Sequence, residues 1–165
     1  MPRILIVDDE AHQCTVLGIG FKRRGFEVET MTDWRAAMQR VAAAQPQLDV
    51  VLTDLRMEEG DEGLKVLEAA KAADPNLPVI ISTAFATAQT AVEAMRAGAY
   101  HYLIKPVDHD ELEMVVNRAL ERRTLVADNV ALRAQLKVRK DPDLLGKSSA
   151  MDRVQALIGK VANSR

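Results

Sequence analysis

Five side chains with useful chemistry stand where short apolar runs of the sequence end. Asp8 and Asp9 follow the first run, Asp54 follows the third, and Thr83 and Lys105 close the fourth and fifth. Taken singly, each residue has an ordinary role as a helix cap, a turn residue or a surface lysine. If the runs are parallel strands of one sheet, all five groups meet at one edge. It is improbable that five residues with unrelated ordinary roles would coincide there.

Three carboxylates in one crevice repel one another unless a cation is shared between them. Mg²⁺ fits such a notch, because it prefers oxygen ligands and typically binds one or two carboxylates, several waters and a phosphate oxygen. Zinc is disfavoured, since His12, His101 and His109 have no ligand spacing and the cluster contains no cysteine.

The chemistry that this set allows is attack by an aspartate on phosphorus, which forms an acyl phosphate. Asp54 is the candidate nucleophile, with Mg²⁺ and Lys105 neutralising the transferring oxygens. The Thr83 hydroxyl is a candidate sensor, because it can donate to a phosphoryl oxygen once Asp54 is modified. Tyr102 is a candidate switch residue whose ring moves inward with Thr83, although a tyrosine on an edge strand is most often simple packing.

The elements that position these groups follow from hydrophobic periodicity. Short apolar runs alternate five times with longer amphipathic stretches, a pattern typical of an α/β fold with a parallel sheet. The predicted strands are 4–7, 27–31, 50–53, 79–82 and 100–104. The predicted helices are about 11–24, 33–44, 63–73, 87–97 and from 109 onward.

The order of the strands follows from their polarity. Strands 1, 3 and 4 are nearly continuous aliphatic runs, as strands covered on both faces must be, whereas strands 2 and 5 carry polar residues. With right-handed crossovers this predicts a doubly wound, flavodoxin-like sheet of order 2-1-3-4-5. Its ligand crevice is expected at the carboxyl ends of strands 1 and 3.

Composition limits the class of partner. Apolar residues make up 48% of the chain, charged residues 28%, and the formal net charge is -2, so direct DNA binding by this segment is not expected. The single cysteine, Cys14, excludes an internal disulfide and is expected to be a buried, inert thiol. Neither a signal peptide nor a membrane span fits the N-terminus, and a cytoplasmic protein without a membrane partner is expected.

A helical linker is predicted over 123–140, where glycine and proline are absent. Leu125, Asn129, Leu132 and Leu136 take the d, a, d and a positions of a heptad, and asparagine at an a position favours parallel dimers. A short homodimer seam is therefore expected, with a solvated linker helix as the alternative.

Four segments, quoted as they stand, combine these residues: ILIVDDE at 4–10, VLTDLRM at 51–57, VIISTA at 79–84 and GAYHYLIKP at 98–106. Together they resemble the receiver domain of bacterial two-component response regulators, over residues 1–122. The resemblance implies phosphotransfer from a sensor histidine kinase to Asp54. It also implies that Asp9 is a direct Mg²⁺ ligand, that Asp8 acts mainly through water and that the backbone carbonyl of Arg56 completes the metal site.

The same resemblance implies that Thr83 and Tyr102 form a switch pair and that the Lys105–Pro106 peptide is cis. The remainder resembles the NtrC-type group of sigma-54-dependent activators, in which a helical linker leads to an AAA+ ATPase domain. Residues 141–165 would then be the truncated start of that domain, whose partner in the full-length protein is sigma-54 RNA polymerase. No phosphate-binding loop is present, so the segment itself is not expected to be an enzyme.

One departure from the family concerns the loop 57–62. Glu58 replaces the usual proline, and Gly63 comes one residue later than the usual glycine, so the loop is expected to be longer, more acidic and less rigid. Its effect on metal affinity and on the lifetime of the acyl phosphate is left open.

Three other classes of function are less consistent with these residues. The altered loop keeps open a pseudo-receiver that docks and dimerises without taking phosphate. A haloacid-dehalogenase type of enzyme needs an acid two residues after the nucleophile, where this chain has Arg56. A flavin-binding fold is poor, because the acids after strand 1 would repel a phosphate.

Overall fold

The computed structural model describes residues 1–43, 45–58 and 60–139, and the residues expected to begin an ATPase domain lie outside this part. Its strands are β1 (Arg3–Val7), β2 (Glu27–Met31), β3 (Val50–Asp54), β4 (Val79–Thr83) and β5 (His101–Ile104). Its helices are α1 (Ala11–Arg23), α2 (Trp34–Ala42), α3 (Glu62–Ala73), α4 (Ala88–Arg96) and α5 (His109–Arg139).

All five strands are parallel, in the order β2-β1-β3-β4-β5. The predicted doubly wound α/β fold is thereby confirmed, including the outer positions of β2 and β5. The strands β3 and β4 are buried along their whole length, as continuous aliphatic runs require.

Alternate residues of each central strand enter two separate cores. Leu5 and Val7 of β1 pack in the cluster that contains residues of α2, α3 and α4, whereas Ile4 and Ile6 pack in the cluster that contains residues of α1 and α5. This alternation covers both faces of the sheet with helices and leaves its carboxyl edge for polar groups. Cys14 belongs to the second cluster and is a buried free thiol, as expected.

Glycines end two of the helices. Gly25 follows α1 with φ 87°, and Gly98 follows α4 with φ 97°, both in the left-handed region that glycine adopts without strain. The Lys105–Pro106 peptide is cis, as the resemblance implies.

The chain divides into two compact units, the first of which is Met1–Leu125. The second begins at Val126, and its described part is the remainder of α5. No described helix is both long enough and apolar enough to cross a bilayer.

Candidate functional site

The three aspartates meet at the carboxyl edge of the sheet. Asp8 and Asp9 follow β1 and Asp54 ends β3, and one carboxylate oxygen from each lies within 4.8 Å of the others. Asp8 and Asp54 are buried, with 2% and 9% of their surface exposed, whereas Asp9 is exposed to solvent. A cluster of this kind has both a protected and an accessible side.

Lys105 neutralises part of this cluster. It follows β5, and its Nζ lies 2.7 Å from Oδ2 of Asp8 and 3.1 Å from Oδ2 of Asp54. Burial opposes the charge of Lys105, but the hydrogen bond to Asp8 and the attraction of both carboxylates outweigh it, so the pKa of Lys105 is raised. The ammonium therefore stays charged at neutral pH, and three carboxylates with one ammonium leave two negative charges uncompensated.

Asp54 has one oxygen paired and one unpaired. Oδ2 accepts from Lys105, while Oδ1 is buried and has no hydrogen-bond partner among the described residues. Burial raises the pKa of Asp54 and the charge of Asp8 adds to the rise, whereas the charge and hydrogen bond of Lys105 and the backbone N–H of Arg56 oppose it. An unpaired buried carboxylate oxygen is costly and needs an explanation. A cation or a covalent modification at Oδ1 would provide one.

Asp8 is already satisfied without a metal. Its Oδ1 accepts the backbone N–H of Glu10 at 3.0 Å, and its Oδ2 accepts from Lys105. The oxygens left for a cation are thus the exposed carboxylate of Asp9 and Oδ1 of Asp54. These hard oxygens and the excess of two negative charges fit Mg²⁺. The ligand role of the Arg56 carbonyl stays a prediction.

The loop after β3 is closed by its own hydrogen bonds. Met57 and Gly60 exchange backbone hydrogen bonds of 3.1 and 3.3 Å, and the N–H of Gly60 also donates to Oε2 of Glu62 at 2.9 Å. Glu62 is buried despite its charge. The backbones of Met57 and Gly60 are therefore paired with each other, although the usual proline is missing from the loop.

Gly63 allows α3 to start directly against the phosphoacceptor candidate. A Cβ atom added to Gly63 would lie 2.1 Å from the carbonyl oxygen of Asp54 and 2.7 Å from Cα of Leu55. The N–H of Gly63 donates to the carbonyl of Leu55 at 2.9 Å. Sequence reasoning saw this glycine only as displaced by one residue, because nothing in the sequence reports how closely a helix approaches a strand.

Arg56 and Phe85 connect two loops at the mouth of the site. The Arg56 guanidinium lies 5.3 Å from the centre of the Phe85 ring, and its Nε lies 3.8 Å from the carboxylate of Asp61. Phe85 is 65% exposed and was missed in the sequence; an aromatic residue just after Thr83 was its only signal. Both residues line a cleft with acidic and basic groups: Asp9, Glu10, Gln13, Asp54, Arg56, Met57, Glu58, Gly60, Ala84, Phe85, Lys105 and Pro106.

The two candidate switch residues have separate partners. Thr83 is fully buried at the end of β4, and its hydroxyl accepts the N–H of Phe85 at 3.1 Å. The Tyr102 hydroxyl on β5 is 3.0 Å from the hydroxyl of Thr90 on α4, and its ring is half-buried. No hydrogen bond joins Thr83 to Tyr102 in the described part of the chain. Tyr102 therefore ties β5 to α4 here.

The predicted seam residues are all exposed. Leu125 has 69% of its surface exposed, Leu132 59% and Leu136 58%, and Asn129 is also exposed. Large apolar side chains in this state are available for a partner, as a seam requires.

Comparison with known proteins identifies related chains. The family model described as response regulator receiver domain matches residues 4–117. The chain is 45% identical over 123 residues to the regulatory protein AtoC of Escherichia coli K12, covering 74% of this chain and 26% of AtoC. It is 37% identical over 162 residues to the transcriptional regulatory protein ZraR of the same strain, covering 98% of this chain and 35% of ZraR.

A solved structure supports the same relationship. The solution structure of the beryllofluoride-activated NtrC4 receiver domain dimer aligns with a TM-score of 0.68 at 28% identity, covering 74% of this chain and 99% of that one. The chain spans only about a quarter to a third of the length of the curated relatives named above.

Proposed function

The chain belongs to the response regulator receiver domain family, related to sigma-54-dependent activators, and from this premise we propose that it is a phosphorylation-dependent switch in which Asp54 accepts the phosphoryl group. The observation that carries the proposal is Oδ1 of Asp54, a buried carboxylate oxygen with no side-chain or backbone hydrogen bond of normal length from the described residues, beside Lys105. Lys105 holds the carboxylate through one oxygen, which leaves the other oxygen for a metal ion or a phosphoryl group.

The transfer forms one bond and breaks one. A carboxylate oxygen of Asp54 attacks phosphorus, a new P–O bond forms, and the P–N bond to a phosphohistidine of the donor kinase breaks, with the imidazole leaving and gaining a proton from solvent. Lys105 is placed to neutralise the phosphoryl oxygens at Asp54. The residues that would hold Mg²⁺ are Asp9, Asp54, Asp8 through water and the carbonyl of Arg56. When bound, the ion supplies Lewis-acid neutralisation of phosphoryl oxygens.

The readout proposed for the modified site uses Thr83 and Tyr102. A phosphoryl group on Asp54 offers the Thr83 hydroxyl a charged acceptor, which is a stronger partner than a neutral one. Movement of Thr83 changes the space beside β5, and Tyr102 then exchanges its hydrogen bond to Thr90 for a new position. The face formed by α4 and β5 is altered as a result.

For the longer protein we propose the organisation that its relatives suggest. Residues 1–122 form the receiver, 123–140 a helical linker that dimerises through Leu125, Asn129, Leu132 and Leu136, and 141–165 the start of an AAA+ ATPase domain. A sensor histidine kinase is the proposed donor, and sigma-54 RNA polymerase the proposed target of the ATPase.

Intact mass after incubation with acetyl phosphate tests the proposal. A gain of one phosphoryl group that requires Mg²⁺ and is lost in Asp54→Asn is expected. No gain, under conditions in which an ordinary receiver reacts, would favour a docking module that does not take phosphate.

A further inference from the structure

The linker part of α5 carries two exposed charges beside the predicted seam. With Asn129 and Leu136 at a positions and Leu132 at d, Asp128 falls at g and Arg133 at e. The described side chains from 127 to 137 are all exposed, so these charges flank an uncovered apolar stripe. In a coiled coil, the e and g positions decide which helices pair and in which orientation.

Neither charge is paired within the part of the chain that the structure describes. Asp128 and Arg133 form no ion pair with any other described residue. Along a helix, side chains three and four positions apart are neighbours, and these two are five apart. No residue at those neighbouring positions carries a charge opposite to either of them.

A spacing of five is the one that joins two helices of a parallel coiled coil. A g residue of one helix lies beside the e residue five positions later on the other helix. By two-fold symmetry the contact occurs twice, with an aspartate and an arginine each time. In an antiparallel pair, g faces g and e faces e, so aspartate would approach aspartate and arginine would approach arginine.

We propose that the linker binds a second copy of this chain, parallel and in register, through two reciprocal ion pairs in which Asp128 of each chain meets Arg133 of the other. The inference rests on the proposed homodimer and adds the basis of its selectivity. Leu132 and Leu136 supply apolar burial that many helices could provide. The charge pattern is complementary only to a helix with a base opposite Asp128 and an acid opposite Arg133, and it repels a helix with the same charge at either contact.

Charge exchange in the full 165-residue chain tests the pairing. Asp128→Arg and Arg133→Asp each turn two attractions into two repulsions, and each should raise the dimer dissociation constant roughly tenfold in sedimentation equilibrium. The double variant restores opposite charges at both contacts and should return to the wild-type constant. An equimolar mixture of the two single variants should form heterodimers in preference to either homodimer.

Ala134→Arg is the matched control, because it introduces an arginine at the outer f position and should leave the dissociation constant unchanged. Asn129→Leu should tighten the association or change its order without altering the charge pattern. Each variant is measured with and without acetyl phosphate. Dissociation constants are compared in the state, phosphorylated or not, in which the wild-type chain dimerises.

Failure of the double variant to recover, or of the mixture to form heterodimers, would overturn the proposed pairing. Absence of any dimer in both states would overturn it as well. The mass gain at Asp54 is recorded on the same samples. If Asp54 takes phosphate while these tests fail, the proposed ion pairs are wrong and the proposed phosphorylation is retained. If Asp54 takes none, the proposed phosphorylation is wrong.

Discussion

Nζ of Lys105 lies 3.1 Å from Oδ2 of Asp54, while Oδ1 of the same carboxylate is buried and unpaired among the described residues. The lysine also holds Asp8 at 2.7 Å. One ammonium thus compensates two buried carboxylates incompletely. This arrangement attracts a divalent cation and keeps one oxygen of Asp54 ready for reaction.

Replacing Lys105 separates its two proposed effects. Lys105→Met removes a positive charge from an acidic cluster, so Mg²⁺ affinity should rise, by roughly tenfold. The rate of phosphoryl transfer should fall by about a hundredfold, because a charge that stabilises the transferring oxygens is lost. Calorimetric titration and acetyl phosphate kinetics measure the two effects. Lys105→Arg, which keeps the charge, should bind Mg²⁺ nearly as the wild type does; weaker Mg²⁺ binding by Lys105→Met would contradict the account.

Gly63 is expected to be intolerant of a single added methyl group. In Gly63→Ala the new Cβ would overlap the backbone of Asp54 and Leu55, so α3 must shift, at a cost of about 1–3 kcal/mol of unfolding free energy. Phosphorylation should slow, since the overlap displaces the backbone of Asp54 itself. Urea unfolding measures the stability.

Gly20→Ala is the control, because Gly20 lies inside α1 and its Cβ would meet only the Arg24 side chain at 3.7 Å. It should stabilise the protein by about 0.5–1 kcal/mol. Equal effects of the two substitutions would show that α3 does not depend on this close approach.

The ion pair of Glu29 and Arg40 should make stability depend on acid pH. Nε and Nη2 of Arg40 donate to the two carboxylate oxygens of Glu29 at 2.5 and 2.7 Å, and these hydrogen bonds lower the pKa of Glu29 against the opposing effect of burial. With a lowered pKa, the stabilisation is complete above the ordinary glutamate pKa and is lost as the pH falls through the folded-state value.

Glu29→Gln should therefore cost about 1 kcal/mol at neutral pH, and the difference from wild type should vanish in acid. Unfolding by urea at a series of pH values measures it. Glu93→Gln serves as the control, because Glu93 is exposed and its carboxylate accepts a hydrogen bond from the uncharged Gln89, so the change should stay within about 0.5 kcal/mol. A constant difference at all pH values would rule out the ion pair as its cause.

Tyr102 is predicted to report phosphorylation directly. The chain has two tyrosines, and only the Tyr102 hydroxyl is bound to Thr90. In a fluorotyrosine-labelled chain, the fluorine NMR signal of Tyr102 should shift when Asp54 is modified, while that of Tyr100 should change little. Tyr100→Phe assigns the two signals. A Tyr102 signal that stays in place on full phosphorylation would remove this residue from the switch.

The elements and their order were predictable because their signals are local. Helix α1 was expected at 11–24 and is found at Ala11–Arg23, and β3 is one residue longer than expected because Asp54 continues its ladder. The meeting of Asp8, Asp9 and Asp54 followed from parallel strands alone, since their carboxyl ends share one edge.

Features that depend on distances across the fold were not predictable. Arg56 stacks on Phe85 across two loops, and Glu62 is buried because it accepts the Gly60 N–H; neither relationship has a periodic signature. To predict that Lys105 pairs with both Asp8 and Asp54, the relative positions of β1, β3 and β5 must be known. The proposed pairing of Asp128 with Arg133, by contrast, follows from the sequence, because the heptad places the two residues at g and e positions.

The central claim is that Asp54, and no neighbouring acid, carries the phosphoryl group. Borohydride reduces an acyl phosphate of aspartate to homoserine, and peptide mass mapping after treatment with acetyl phosphate and Mg²⁺ then locates the modified residue without any substitution. Homoserine at position 54, absent when Mg²⁺ is removed, is the predicted result. Homoserine at position 8 or 9, or none at all under conditions that modify an ordinary receiver, would contradict the account.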